Sequence, residues 1–354
     1  MYLPKCYQGS IAEFDSALTG YNKKWTNIYI LADEHTKVEC LPFLLEKSNE
    51  LKEANLLVLD PGEDFKTLEI AESLWSSLID TGADRKSLLI NLGGGVITDL
   101  GGFVASTFKR GIDFIHIPTT LLSQVDAAIG GKTGVNLEYS KNQVGTFAHP
   151  LFVYADTGFL RTLPQREFIS GIGEVIKYGV IASKSLFELL KDKENLLLNL
   201  ASIVATCIQL KEEIVVSDFK ETGRRKSLNF GHTVGHAIES YFMGEVLHGE
   251  AIAAGMICES YLSLQRGLIS ETEFTEVEQV IDSYFDKIDI EPPMIGSILE
   301  EMKNDKKNEE GKLNFSLIDG IGSCKIDCFA EDEIVEQCLN FYLNNRSQKY
   351  LILD

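Results

Sequence analysis

The sequence is poor in histidine, with six in 354 residues, and short of positive charge, with 33 lysines and arginines against 53 aspartates and glutamates. Its net charge of −20 argues against nucleic acid or an anionic membrane as partner, because both would repel it. It has no run of about eighteen apolar residues, so no membrane-spanning helix is expected. Its N-terminal MYLPKCYQGSIAEF carries no apolar h-region, so no secretory signal is expected either. Seven cysteines, at 6, 40, 207, 258, 324, 328 and 338, form no CxxC pair, and their number is odd. That excludes a simple disulfide framework and points to a reducing, cytosolic setting. Cys324 and Cys328 in CKIDC have a spacing open to a metal pair, but their alternation with Lys325, Ile326 and Asp327 reads as a strand.

What is present is ordinary for a globular protein, 44% hydrophobic and 24% charged residues, in a chain long enough for two domains. NIYILAD, NLLVLD, SLLINLGGG, DFIHIP and LFVYAD read as strands. Between the second and third, Leu68, Ala71, Leu74, Trp75 and Leu78 of KTLEIAESLWSSLIDTG keep one helical face apolar. Alternating strand and helix predicts βαβ units and a mainly parallel sheet, with ligands at the carboxyl ends of its strands. Beyond DTGFLRTLPQREF the texture becomes helical, as in GEVIKYGVIASKSLFELL and GEAIAAGMICESYLSLQRG. The expected division is an α/β domain over residues 1–158 and a mainly helical one over 159–354. KNDKKNEEGK, residues 303–312, reads as a charged loop.

Two motifs carry chemistry. LLINLGGGVITDLGGFVAS runs a buried strand into three glycines and a helix, a turn that lets backbone amides approach a pyrophosphate. It is not the G-x-G-x-x-G fingerprint, and such a turn serves packing as readily. Asp99 lies one turn into that helix, and Asp33, ending its strand, is placed for a ribose hydroxyl or for simple strand termination. In LNFGHTVGHAIE, His232 and His236 share a helical face; HTVGH lacks the glutamate of the HExxH pattern. Gly244 interrupts that helix, so His248 of LHGEA opens the next. His232 and His248 presented to one point would suit a divalent metal that wants a third ligand, and Glu174 of GIGEVIKYG, near a helix start, is a candidate. Histidine and glutamate on helices are commonly structural or solvated, so the motif alone leaves both readings open. Lys132, Lys141, Lys177, Lys211, Arg224, Arg225 and Lys226 sit in or beside the glycine-rich motifs, where together they would suit an anionic substrate.

These motifs together resemble the 3-dehydroquinate synthase family. The resemblance runs from PGEDFK to about IDGIG, through GGGVITDLGGFVAS, IPTTLLSQVDAAIGGKTGVN, KNQVGTF, GEVIKYG, LNFGHTVGHAIE and LHGEA. It implies an α/β Rossmann-like NAD-binding domain, a mainly α-helical metal-binding domain, a cleft between them and a homodimer. The implied metal is zinc or cobalt, held by Glu174, His232 and His248, with His236 facing the substrate phosphate and moving protons.

NAD contacts carry over to Asp33, to Gly62, Glu63 and Lys66, and to Gly94, Gly95, Val96 and Asp99. They continue at Thr119 and Thr120, at Lys132 and Lys141, and at Phe159, Leu160, Arg161 and Thr162. Catalytic and substrate contacts carry over to Asp126, Lys132, Asn142 and Lys177, and further substrate contacts to Lys211, Arg225 and Asn229. Arg110 matches a residue that reaches a neighbouring subunit's phosphate site, and Lys307 a phosphate ligand. Thr98 departs from the pattern, standing where relatives often have glycine.

The implied substrate is 3-deoxy-D-arabino-heptulosonate 7-phosphate. Transient oxidation, phosphate elimination, reduction and an intramolecular aldol closure would turn it into 3-dehydroquinate, with NAD recycled. Another sugar-phosphate cyclase, such as 2-deoxy-scyllo-inosose synthase, would not need the Lys211 and Arg225 pair, because its substrate lacks a carboxylate. A metal-dependent polyol dehydrogenase would yield net NADH. A non-catalytic binding paralogue would tolerate lost ligands, yet every expected metal and phosphate position holds a competent residue.

Overall fold

The computed structural model describes residues 4–137, 140–303 and 312–347. The chain divides into two compact units, residues 1–168 with 207–212, and residues 169–206 with 213–354. Lys307 and most of the charged loop around it lie outside the described residues. No helix among the described residues is long and apolar enough to cross a membrane.

The first unit opens with β1 (Lys5–Gln8), α1 (Phe14–Thr19), β2 (Ile28–Asp33), α2 (Glu34–Glu39), α3 (Leu41–Lys47) and β3 (Asn55–Leu59). It continues with α4 (Leu68–Asp80), β4 (Leu88–Gly93), α5 (Gly95–Thr107), β5 (Asp113–Pro118), β6 (Lys132–Leu137), β7 (Ser140–Phe147) and β8 (Phe152–Ala155). Six strands form one parallel sheet in the order β1-β8-β5-β4-β2-β3. All five expected strands belong to it. The two-residue side-chain period splits each central strand between two cores. Ile30, Ile90 and Ile117 pack with Phe14, Leu44 and Phe152 on one face. Tyr29, Leu31 and Leu89 pack with Leu74, Leu78, Leu100 and Phe103 on the other. Leu74 and Leu78 come from α4, as the helical pattern of 66–82 requires, and Leu100 and Phe103 from α5. One polar pair interrupts this interior: burial holds the His116 imidazole down at about 3, so the ring is neutral and its Nδ1 accepts from the Asn91 amide at 3.1 Å.

From β4 the chain steps to one side through β5, whereas β2 and β3 lie on the other side. Chain order therefore reverses between β2 and β4, and the crevice outside their carboxyl ends is where an open parallel sheet takes a ligand. Asp33 and Gly94 stand at those ends. The hairpin β6–β7 is a separate antiparallel pair that carries little alternation in its sequence.

The second unit is helical, as expected, with α6 (Gln165–Ala182), α7 (Lys184–Leu190), α8 (Lys193–Leu198), α9 (Leu200–Ser217) and α10 (His232–Tyr241). α11 (His248–Gln265), α12 (Glu271–Tyr284) and α13 (Ile295–Lys303) follow. A hairpin of β9 (Leu313–Ile318) and β10 (Cys324–Ala330) and then α14 (Asp332–Ser347) close the described chain. CKIDC is a strand, and its thiols are free.

Close packing of α10 on α11 needs glycine at particular places. A Cβ on Gly255 of α11 would collide with the carbonyl oxygen of Gly231 and lie 2.7 Å from the Gly235 amide nitrogen. Both obstacles are backbone, so neither can rotate aside. Gly255→Ala is therefore expected to lower unfolding stability by about 1–3 kcal/mol. Urea denaturation checks this, and an unchanged midpoint contradicts the packing.

Candidate functional site

In the first unit, α5 starts directly from the end of β4, with Gly94 as its N-cap and no side chain capping it. Gly94 and Gly95 give the backbone room: a Cβ at Gly94 would come within 3.0 Å of Thr120 Cγ2. Free amides at a helix start facing the crevice are what a pyrophosphate needs. The expected cofactor residues Asp33, Lys66, Gly94, Gly95, Val96, Thr119 and Thr120 all follow the carboxyl ends of parallel strands. Asp33 also terminates its strand, since its Oδ1 accepts from the Thr36 amide at 2.7 Å and caps α2.

Lys66 is buried, with Nζ 2.6 Å from both Asp99 Oδ2 and Asn142 Oδ1 and 3.7 Å from Glu63 Oε1. Burial pushes the Asp99 carboxyl up, although Lys66 pulls the other way. Asn142 sits at φ +55°, a conformation asparagine tolerates better than most residues. Lys211 Nζ lies 2.9 Å from Asp126 Oδ1 and donates to the Asp126 carbonyl at 2.6 Å. Phe159 and Leu160 are core residues, Phe159 lying edge-on to Phe43 at 5.1 Å, so a ligand there meets backbone. Lys132 and Lys141 are exposed.

The second unit brings the histidines together. Glu174 is buried, its Oε2 paired with Lys177, while its Oε1 lies 3.4 Å from His232 Nε2 and 3.3 Å from His248 Nε2. Contrary to the expectation from sequence, Glu174 is not near a helix start, because α6 begins at Gln165. Gly173 beside it is a packing residue, since a Cβ there would lie 2.9 Å from the Gly249 carbonyl oxygen.

Each imidazole is oriented from behind. The Phe230 carbonyl lies 3.0 Å from His232 Nδ1 and can only accept, so Nδ1 carries the hydrogen and the Nε2 lone pair faces Glu174. His248 Nδ1 donates likewise to Glu239 Oε2 at 3.0 Å. This is how metal-binding histidines are held. The 3.4 and 3.3 Å from Glu174 Oε1 to the two ring nitrogens are also close to the ligand–ligand edge of about 3.3 Å expected of a tetrahedral ion with bonds near 2.0 Å. His236 joins the cluster, since donor atoms of His232, His236 and His248 all lie within 4.8 Å of one another.

The charges are coupled. Burial opposes ionisation of Glu174, but Lys177 outweighs it, with the His248 ring adding a hydrogen bond, and the carboxyl is held well below the usual carboxylate range. Burial and the Lys177 charge push His232 down. Burial pushes His248 down too, but Glu174 and Glu239 prevail and hold it up at about 10. Arg225 and Asn229 lie on the short turn Arg224–Asn229, where Arg225 donates to the Phe219 carbonyl at 2.8 Å and Asn229 to Glu221 Oε1 at 2.9 Å. Glu239 and Glu221 were not singled out in the sequence. Glu239 had a signal, since it shares a helical face with His232 and His236.

With the site in view, the known relatives fall into place. A family model described as 3-dehydroquinate synthase N-terminal matches residues 56–170, and one described as 3-dehydroquinate synthase C-terminal matches 171–308. The chain belongs to the 3-dehydroquinate synthase family. It is 42% identical over 325 residues to 3-dehydroquinate synthase of Parabacteroides distasonis, covering 90% of this chain and 92% of that one. Among solved structures it resembles 2-deoxy-scyllo-inosose synthase complexed with carbaglucose-6-phosphate, NAD+ and Co2+ (TM-score 0.84, 26% identity, 94% of this chain and 95% of that one). It also resembles 2-epi-5-epi-valiolone synthase from Streptomyces hygroscopicus subsp. jinggangensis 5008 with NAD+ and Zn2+ bound (TM-score 0.86, 25% identity, 98% of each). The fold expected from the family resemblance is thus the one observed.

Two outcomes follow for the histidine cluster. Glu239→Ala removes the acceptor behind His248 and is expected to weaken metal binding about 10–100-fold; chelator competition checks it, and wild-type affinity contradicts it. His248 in the metal-free protein, at about 10, lies above its ordinary value of about 6.5. The stability it contributes is complete below about 6.5 and is lost as pH rises toward 10. Metal needs the neutral ring, so apparent affinity should rise over the same window. Thermal melts of metal-stripped protein and pH-dependent metal titrations measure both trends, and flat profiles contradict the assignment.

Proposed function

We propose that the protein catalyses its family's reaction, converting 3-deoxy-D-arabino-heptulosonate 7-phosphate into 3-dehydroquinate and phosphate in the shikimate route to aromatic amino acids. The observation that carries this reading is the triangle of Glu174 Oε1, His232 Nε2 and His248 Nε2. A divalent metal held by these three atoms, zinc or cobalt, would supply Lewis acidity to a substrate hydroxyl, and NAD at the turn after β4 would supply a reversible hydride acceptor.

The chain's own residues bind and orient. The amides that begin α5 favour a pyrophosphate, and Asp33 offers a carboxylate oxygen to a ribose hydroxyl. Lys66 holds Asp99 and Asn142 in register beside that turn. By family resemblance, Asp126, Lys132, Asn142, Lys177, Lys211, Arg225 and Asn229 are assigned to the substrate. Cations of this kind hold anionic groups and convert successive steps into intramolecular ones. His236, whose ring centroid is 5.0 Å from that of His232, is assigned to the substrate phosphate and to proton transfer. Oxidation of that hydroxyl would acidify the neighbouring C–H bond so that phosphate leaves, return of the hydride would restore the alcohol, and ring opening followed by an aldol would close the carbocycle.

Lys307 keeps a phosphate-binding role by family resemblance alone. A homodimer in which Arg110 reaches the phosphate site of a second copy belongs to the same reading. So does a cytosolic setting, supported by the odd number of scattered cysteines.

Purified protein should release phosphate from the heptulosonate phosphate only with NAD and a divalent metal, with no lasting rise in nicotinamide absorbance. The product mass should be that of 3-dehydroquinate, and His248→Ala should retain no metal. Persistent NADH would assign a dehydrogenase instead, and preference for a sugar phosphate lacking a carboxylate would assign another cyclase.

A further inference from the structure

α10 begins without a side chain of its own to cap it. Its N-cap is Gly231, in the left-handed conformation at φ 78°, yet a helix start leaves amides that must find acceptors. A carboxylate from the neighbouring helix supplies them. Glu259 of α11 is fully buried; its Oε2 accepts from the Gly231 amide at 2.6 Å and its Oε1 from the Val234 amide at 3.3 Å. Its negative charge also lies at the positive end of the α10 dipole, where it is stabilised.

The Gly231 amide and the Phe230 carbonyl belong to one peptide group, which is planar and rigid. Glu259 grips the N–H end of that plane. The carbonyl end accepts from His232 Nδ1 at 3.0 Å. A continuous path therefore runs from the Glu259 carboxylate through the 230–231 peptide to the ring that aims Nε2 at Glu174. Donating from the N–H end of an amide also makes the carbonyl at the other end a better acceptor. Because Glu259 rides on the helix that opens with His248, the same carboxylate fixes α10 against α11.

We infer that Glu259 is a positioning residue for the metal centre, acting through the 230–231 peptide to set the orientation and tautomer of His232. This inference rests on the metal reading proposed above.

Glu259→Gln preserves shape but has one carbonyl oxygen for two amides. Zinc affinity by chelator competition and the absorption spectrum of the cobalt-loaded protein should be compared for wild type, E259Q and V277A. Val277 is buried in α12, so V277A reports what loss of stability alone does. The expected result is a loss of zinc affinity of about 10-fold or more in E259Q, an altered cobalt spectrum, and wild-type values in V277A. A folded E259Q with wild-type affinity and spectrum overturns the inference while leaving the ligand set intact. A wild type that retains no metal overturns the ligand reading itself. If E259Q does not fold, hydrogen exchange of wild type decides: the Gly231 amide should be protected like the interior of α10, and rapid exchange there overturns the inference.

Discussion

The carboxylate of Glu174 is the constraint on which the second unit turns. Burying an ion is costly unless opposite charge and hydrogen bonds meet it, and Glu174 is met by Lys177 on one oxygen and by the His248 ring on the other, with His232 Nε2 3.4 Å from the same oxygen. That arrangement leaves a single oxygen facing two ring nitrogens at the spacing of neighbouring ligands on one ion. The glycines of α6, α10 and α11 exist to bring these helices close enough, and a larger residue at Gly173, Gly249 or Gly255 would drive backbone into backbone. The site is therefore built as much by what the helices lack as by what they carry.

The first unit solves a different problem with the same economy of parts. A parallel sheet whose chain order reverses between β2 and β4 opens a crevice at one edge, and the helix that starts there turns bare amides toward it. Buried lysines then take up the charge of acidic neighbours, Lys66 with Asp99 and Lys211 with Asp126. In both units, cations sit against carboxylates inside a strongly acidic chain. Its net charge of −20 thus describes the surface and says little about the sites.

Much of this was legible in residue order. Five of the six strands of the large sheet announced themselves by apolar runs ended by Asp, Gly or Pro, and the interruption at Gly244 placed His248 at a helix start. β1 and the β6–β7 hairpin did not, since four residues give no period and KTGVN with SKNQVGTF gives no alternation. Gly171 and Gly173 misled the reading of Glu174, because glycine marks a helix boundary and a helix contact alike. The residues behind the histidines were hardest. Glu239 could have been found by helical spacing, but the Phe230 carbonyl has no side-chain signature, and Glu259 is joined to Gly231 only by the fold. Specific roles for most single residues came from family resemblance, which supplies assignments that periodicity cannot.

The central claim is that one carboxylate and two imidazoles, rather than three imidazoles, hold the ion. Anomalous diffraction at the zinc edge from crystals of the metal-loaded protein tests it directly. The account predicts one peak bonded to Glu174 Oε1, His232 Nε2 and His248 Nε2, with His236 outside bonding distance. A peak bonded to His232, His236 and His248, with Glu174 still turned to Lys177, would contradict it.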